Sequence, residues 1–188
     1  MHAGALMRRL GWLLLACLAT PAHADGPGFR IQQVETRLVD GVYRLEARAH
    51  LDLSRSVRSA LESGVPLGLL YRFRILRPRD YLWDQQVAEL NQRYRLEYHA
   101  LSKRYVLVNV NTGAGQAFSS LTDALEPLEH LRDFPLIDAE ILPPGPRYVG
   151  EMEVLLDSDA LPVPLRLQTW VNNAWRLDSK PLRWSLAP

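Results

Sequence analysis

Histidines and paired carboxylates carry most acid–base and metal chemistry, and this chain of 188 residues spaces them poorly for either. His50 and His99 fall on the polar faces of predicted strands and His130 on a predicted helix, and the three share no His-Glu-x-x-His or clustered Asp/His pattern. Each reads as a solvated surface histidine, so neither a metal nor a cofactor is expected. Glu151 and Glu153 stand two residues apart, which strand rise converts to about 7 Å on one face. That separation would suit glycoside hydrolysis. Simple alternation generates it equally well, so the pair reads as structural. Asp157-Ser158-Asp159 reads as a strand-ending turn. The chain has no Gly-x-Ser-x-Gly elbow and no glycine-rich phosphate loop, and no enzymatic activity is expected.

The densest polar and aromatic cluster is Arg77-Pro78-Arg79-Asp80-Tyr81-Leu82-Trp83-Asp84. Arginine and large aromatics are the residue types that anchor interfaces, so Arg77, Arg79, Tyr81, Trp83 and Asp84 are the candidate partner-binding residues. The same segment also reads as a bulged strand with Trp83 packed inward and its arginines paired to Asp80 and Asp84. A second arginine set, Arg44, Arg48, Arg72, Arg74, Arg93 and Arg95, lies on polar strand faces. It either aligns into a basic stripe or pairs with interleaved acids such as Glu46 and Glu97.

The N-terminus bounds where any such surface would work. Arg8-Arg9, the apolar run Leu10 to Thr20 and Ala22-His23-Ala24 form a positive head, a short hydrophobic stretch and a small-residue cleavage site. Residues 1–24 therefore read as a signal peptide cut before Asp25, with residues 25–188 as a single periplasmic domain. Cys17 is the only cysteine and leaves with the leader, excluding disulfides and thiol chemistry from the remainder. Lipidation at Cys17 is the competing reading. Leu15 suits it poorly, and the site at Ala24 is better formed. Loss of Arg8 and Arg9 turns the formal charge from +1 to about −1, which argues against general adsorption to nucleic acid or membranes. No later segment reaches the roughly 20 apolar residues that span a bilayer, so the mature chain reads as soluble.

Two-residue alternation sets the fold class. Tyr43, Leu45, Ala47, Ala49, Leu51 and Leu53 are apolar and the residues between Tyr43 and Leu53 are mostly polar, which predicts a half-buried strand. Asp40-Gly41 predicts a hairpin turn from the incoming Phe29–Val39. Further strands are predicted over Leu69–Ile75, Tyr94–Ala100, Arg104–Val110, Tyr148–Leu156, Leu165–Val171 and Trp175–Leu177, with Leu182–Leu186 as an edge. Ser54 predicts the cap of one short helix that ends at Gly64. Ser120 caps another, carrying Leu121, Ala124, Leu125, Leu128 and Leu131 on one face with Pro127 inside. Pro143-Pro144-Gly145-Pro146 reads as a stiff loop. The sum is a mainly β antiparallel sandwich, immunoglobulin-like in general shape, with one or two short helices.

Four segments in order resemble a known family of exported proteobacterial proteins, domain of unknown function 4390. They are Ala60-Leu61-Glu62-Ser63-Gly64-Val65-Pro66-Leu67, Tyr94-Arg95-Leu96-Glu97-Tyr98-His99-Ala100-Leu101, Ser120-Leu121-Thr122-Asp123-Ala124-Leu125 and Leu161-Pro162-Val163-Pro164-Leu165. The resemblance implies export and assigns no catalytic residues. Members are often encoded beside a membrane sensor histidine kinase, an association that implies a periplasmic accessory to signalling. The expectation is a non-enzymatic protein-binding module, using a sheet edge or the Arg77–Asp84 segment. The rival expectation is a carrier that holds a small apolar ligand or lipid against residues such as Tyr71, Phe73, Tyr98 and Trp170.

Overall fold

A computed structural model describes residues 27–161 and 173–186. In chain order the elements are β1 (Gly28–Val39), β2 (Val42–Asp52), α1 (Arg55–Glu62), β3 (Leu67–Arg77), β4 (Gln85–His99), β5 (Arg104–Asn109), β6 (Gly115–Phe118), α2 (Leu121–Glu129), β7 (His130–Asp138), β8 (Tyr148–Asp157) and β9 (Leu182–Leu186). They build two antiparallel sheets, ordered β1-β2-β7 and β6-β5-β4-β3-β8-β9. The alternation of β2 turns Tyr43, Leu45, Ala47, Ala49 and Leu51 inward. They meet Leu69, Tyr71, Phe73 and Ile75 of β3, which together with β4 forms the centre of the larger sheet. Phe73 stacks on Phe134 of β7, ring centroids 5.1 Å apart, and joins the two layers as a sandwich.

Local chemistry sets the element ends. Asp40 and Gly41 both take positive φ, as the two-residue β1–β2 turn requires. The Ser54 hydroxyl caps α1 by accepting from Val57 N–H at 3.2 Å and donates to the Ala174 carbonyl at 2.6 Å. At the other end Gly64, at φ +89°, closes a Schellman motif, with Val65 N–H donating to Ala60 and Gly64 N–H to Leu61. On the inner face of β8, Gly150 leaves room for the Trp184 indole of β9, which covers it where a Cβ would stand. The same indole donates from Nε1 to Thr36 Oγ1 of β1 at 3.2 Å, tying the sheets together at one edge.

Several expectations require correction. α2 includes Pro127 but stops at Glu129, and Leu131 lies in β7, a strand the helical spacing concealed. Two register shifts against β2 break its alternation, and Pro135 disguises it further. Trp175 closes a 3-10 turn, Asn173–Trp175, rather than opening a strand. Beyond it, Leu177 and Ser179 hydrogen-bond to Leu156 and Val154 of β8. β4 begins at Gln85, nine residues before Tyr94, and a further short strand, β6, follows the turn after β5. Leu165–Val171 lies outside the described residues. Among the described residues no helix is long and apolar enough to cross a membrane.

Candidate functional site

β3 and β4 are paired up to Arg77 and Gln85, and the residues between form the loop at one end of the sandwich. The candidate cluster is therefore a hairpin tip, which overturns the reading of a bulged strand with Trp83 inside. Tyr81 and Leu82 stand exposed and Trp83 is 90% exposed. Tyr81 holds φ +67°, a left-handed conformation that costs an aromatic residue about 1–2 kcal/mol and turns the chain so that its side chain projects.

The charged members of the cluster divide by role. Arg77 is exposed, and Arg79 hydrogen-bonds Gln85 at the foot of the loop. Asp84 is held by Arg183 of β9 at 3.0 Å and faces neither arginine of its own loop. Arg183 also donates from Nε to Glu151 of β8 at 2.6 Å. Glu151, only 3% exposed, bonds Arg74 of β3 as well, and Glu153 accepts from Arg72 at 2.9 Å and faces Arg74 at 3.6 Å. The register places Arg72 opposite Glu153 and Arg74 opposite Glu151, so the carboxylate pair belongs to an ion ladder across β3, β8 and β9. Glu151, followed by Asp84, holds the Arg183 guanidinium above its ordinary pKa. The ladder reaches the loop only at Asp84, and so fixes where the tip departs from the sheet.

The other polar-face arginines follow the same rule. Arg37 pairs with Glu46 at 2.7 Å, Arg44 with Asp133 at 2.8 Å and Arg95 with Glu97 at 2.6 Å. Arg93 reaches Asp157 at 3.7 Å, and Arg48 alone of the six forms no ion pair among the described residues, so pairing rather than a basic stripe describes five of them. His50 lies 3.2 Å from Glu129, His99 3.3 Å from Glu97 and His130 3.6 Å from Glu126, all at the surface. No Ser, His and Asp set converges in any of these contacts.

A second feature adjoins the tip. Where β7 stops short of covering β4, an open groove of about 410 Å³ runs between the sheets, floored by Ile75, Ala88 and Leu90 and walled by Ile137 and Ile141. α2 packs against β2, β5, β6 and β7. Of seven large apolar side chains exposed among the described residues, five (Leu38, Tyr81, Leu82, Trp83 and Ile141) belong to the tip, the groove or the adjoining β1–β2 turn. Composition alone marks the tip; the groove is visible only once β7 is placed over β3. Of the residues expected to hold an apolar ligand, Phe73 lines the groove from the core, Tyr71 is a core residue away from it, Tyr98 packs on Tyr105 at 4.8 Å, and Trp170 lies outside the described residues.

These features describe a two-sheet antiparallel β protein whose exposed large apolar side chains gather mostly at one end. The chain belongs to the family described as domain of unknown function DUF4390, whose model matches residues 26–185. No curated protein and no solved structure matches it.

Proposed function

We propose that this protein is exported to the periplasm by the leader ending at Ala24 and acts there, without catalysis, as a module that docks another envelope protein through the β3–β4 tip. The extracytoplasmic segment of a membrane sensor histidine kinase is the partner class the family association suggests. The observation that carries the reading is the exposure of Tyr81, Leu82 and Trp83 together on a loop whose base is clamped by Asp84 and Arg183. Tyr and Trp bury large areas at little entropic cost, and a fixed base leaves less freedom to lose on docking.

A photo-crosslinking residue at Trp83 tests this in intact cells, with the same residue at Leu101, beyond the far end of β4, as the control. An adduct with one envelope protein from position 83 and none from 101 is the expected result. Adducts absent from both, or equal in both, overturn the reading.

The groove favours a second reading, a carrier of a small apolar ligand, because its volume falls within the range of ligand pockets. An apolar molecule released by organic extraction of the purified protein supports the carrier; an empty extract supports the docking module.

A further inference from the structure

β5 pairs with β4 only from Tyr94 to His99. Just beyond, the turn after β5 closes the edge. Asn111 Oδ1 accepts from Arg93 N–H at 2.8 Å and Asn111 Nδ2 donates to the Asn91 carbonyl at 3.0 Å. Val110 N–H donates to the Arg93 carbonyl at 2.9 Å. Gln85–Leu90 then continues with β3 on one side and no described strand on the other. Six residues give roughly 17 Å of unpaired edge, interrupted by one bulge at Val87. Its inner face is the groove floor, Ala88 and Leu90; its outer face carries Glu89.

Two other edges are better protected: β7 carries Pro135, left-handed Asp133 and two register shifts, and β6 has four residues. β1 is a longer edge, at twelve residues, broken by one register shift between Ile31 and Gln33. The edge of β4 differs because an apolar groove lies directly beside it. Its rim charges leave acid unpaired: Glu89 bonds only the neutral amides of Gln86 and Asn91, because Arg74, its cross-strand partner, is taken up by Glu151 and Glu153, and Asp138 forms no ion pair among the described residues. No basic residue lines the groove.

We infer that Gln85–Leu90 accepts an extended segment of a partner protein as an added strand, in line with β5. The inference rests on the docking reading above and names the chemistry of the partner. A strand turns successive side chains to opposite faces. One set must therefore be aliphatic, entering the groove toward Ala88 and Ile141. The other must be basic, meeting Glu89 outside. Added main-chain hydrogen bonds supply affinity, and the alternation supplies selectivity.

The test uses a dye-labelled eight-residue peptide of alternating valine and lysine, with a valine–glutamate peptide and a centrally proline-substituted valine–lysine peptide as controls. Anisotropy reads binding, and hydrogen exchange reads protection of the Gln85–Leu90 amides. The valine–lysine probe is expected to bind and to slow exchange there. Both controls should bind at least about tenfold more weakly. Glu89→Lys and Ile141→Asp, at exposed positions, should each weaken the probe about tenfold while unfolding at the wild-type temperature. No binding, unprotected amides, or variants that bind as the wild type overturn the strand addition. A Trp83→Ser variant separates the two proposals. An adduct from position 83 with a failed probe removes the added strand and leaves tip docking; probe binding unchanged by Trp83→Ser, with no adduct, does the reverse.

Discussion

Replacing Tyr71 by Phe tests the centre of the sandwich with a single atom. Tyr71 is fully buried, and its hydroxyl donates to the Leu128 carbonyl at 2.8 Å. Leu128 lies in the last turn of α2, where carbonyls have no intrahelical donor. Phe keeps the ring and its edge contact with Tyr94 at 5.7 Å. It leaves a buried acceptor without this donor, a loss of about 2 kcal/mol. Burial, then the neighbouring Tyr94 and Glu129, pushes the Tyr71 phenol well above its ordinary value. The sign of the linkage follows. Below pH 10 the phenol is protonated in both states and contributes no pH dependence. Above it the unfolded phenol ionises while the folded one keeps its proton, so stability falls by up to about 1.4 kcal/mol per pH unit. Tyr71→Phe removes that fall. The gap between the two proteins should thus be about 2 kcal/mol from pH 7 to 9 and close progressively above pH 10. Urea unfolding at intervals from about pH 7 to 11 measures both. A gap under about 0.5 kcal/mol at neutral pH, or one that stays constant to the alkaline limit, refutes the account.

Three further substitutions probe the frame and the tip. Gly150→Ala places a methyl in the Trp184 indole, forcing the ring from Thr36; a loss of about 2 kcal/mol in urea, with altered tryptophan fluorescence, is expected. Arg183→Met leaves Glu151 with Arg74 alone and frees Asp84, so stability should fall by about 1.5 kcal/mol and loop amides 79–84 should exchange faster. Tyr81→Gly relieves a left-handed aromatic at the price of glycine entropy, and calorimetry should find stability unchanged or raised by up to about 1 kcal/mol.

Periodicity made legible those strands whose two faces meet different surroundings. β2 has core on one side and solvent on the other, so its pattern is regular and its turn residues are conspicuous. β7 lacks that signal because bulges at Leu136 and at Arg132–Asp133 reset its faces, and Pro135 has no amide to donate. The first half of β4 lacks it for a different reason: with no neighbour on one edge, Gln85, Gln86 and Glu89 stay exposed, and Val87, Ala88 and Leu90 are only partly covered. Composition identified the Arg77–Asp84 cluster, but only pairing shows that Asp84 turns to β9 and Trp83 to solvent. That partner is 99 residues away, a separation no local pattern reports.

The overhang of the β3–β4 hairpin explains why one end of the molecule differs from the other. β8 supports β3 as far as Leu76, opposite Val149, and β9 supports β8 to Tyr148. On the other side β5 supports only the distal part of β4, leaving the proximal part to project. A hairpin so exposed on one side would fray, because isolated two-stranded ribbons are marginal in water. The ladder Arg72–Glu153–Arg74–Glu151–Arg183–Asp84 counters this by joining both supported strands to the foot of the loop. Its members range from the buried Glu151 to the half-exposed Arg183. Its consequence is geometric, since five linked contacts fix the direction in which Tyr81 and Trp83 point. Loss of Arg183 should therefore reduce crosslinking from position 83 more than it reduces stability, whereas a ladder serving the fold alone would lower both together.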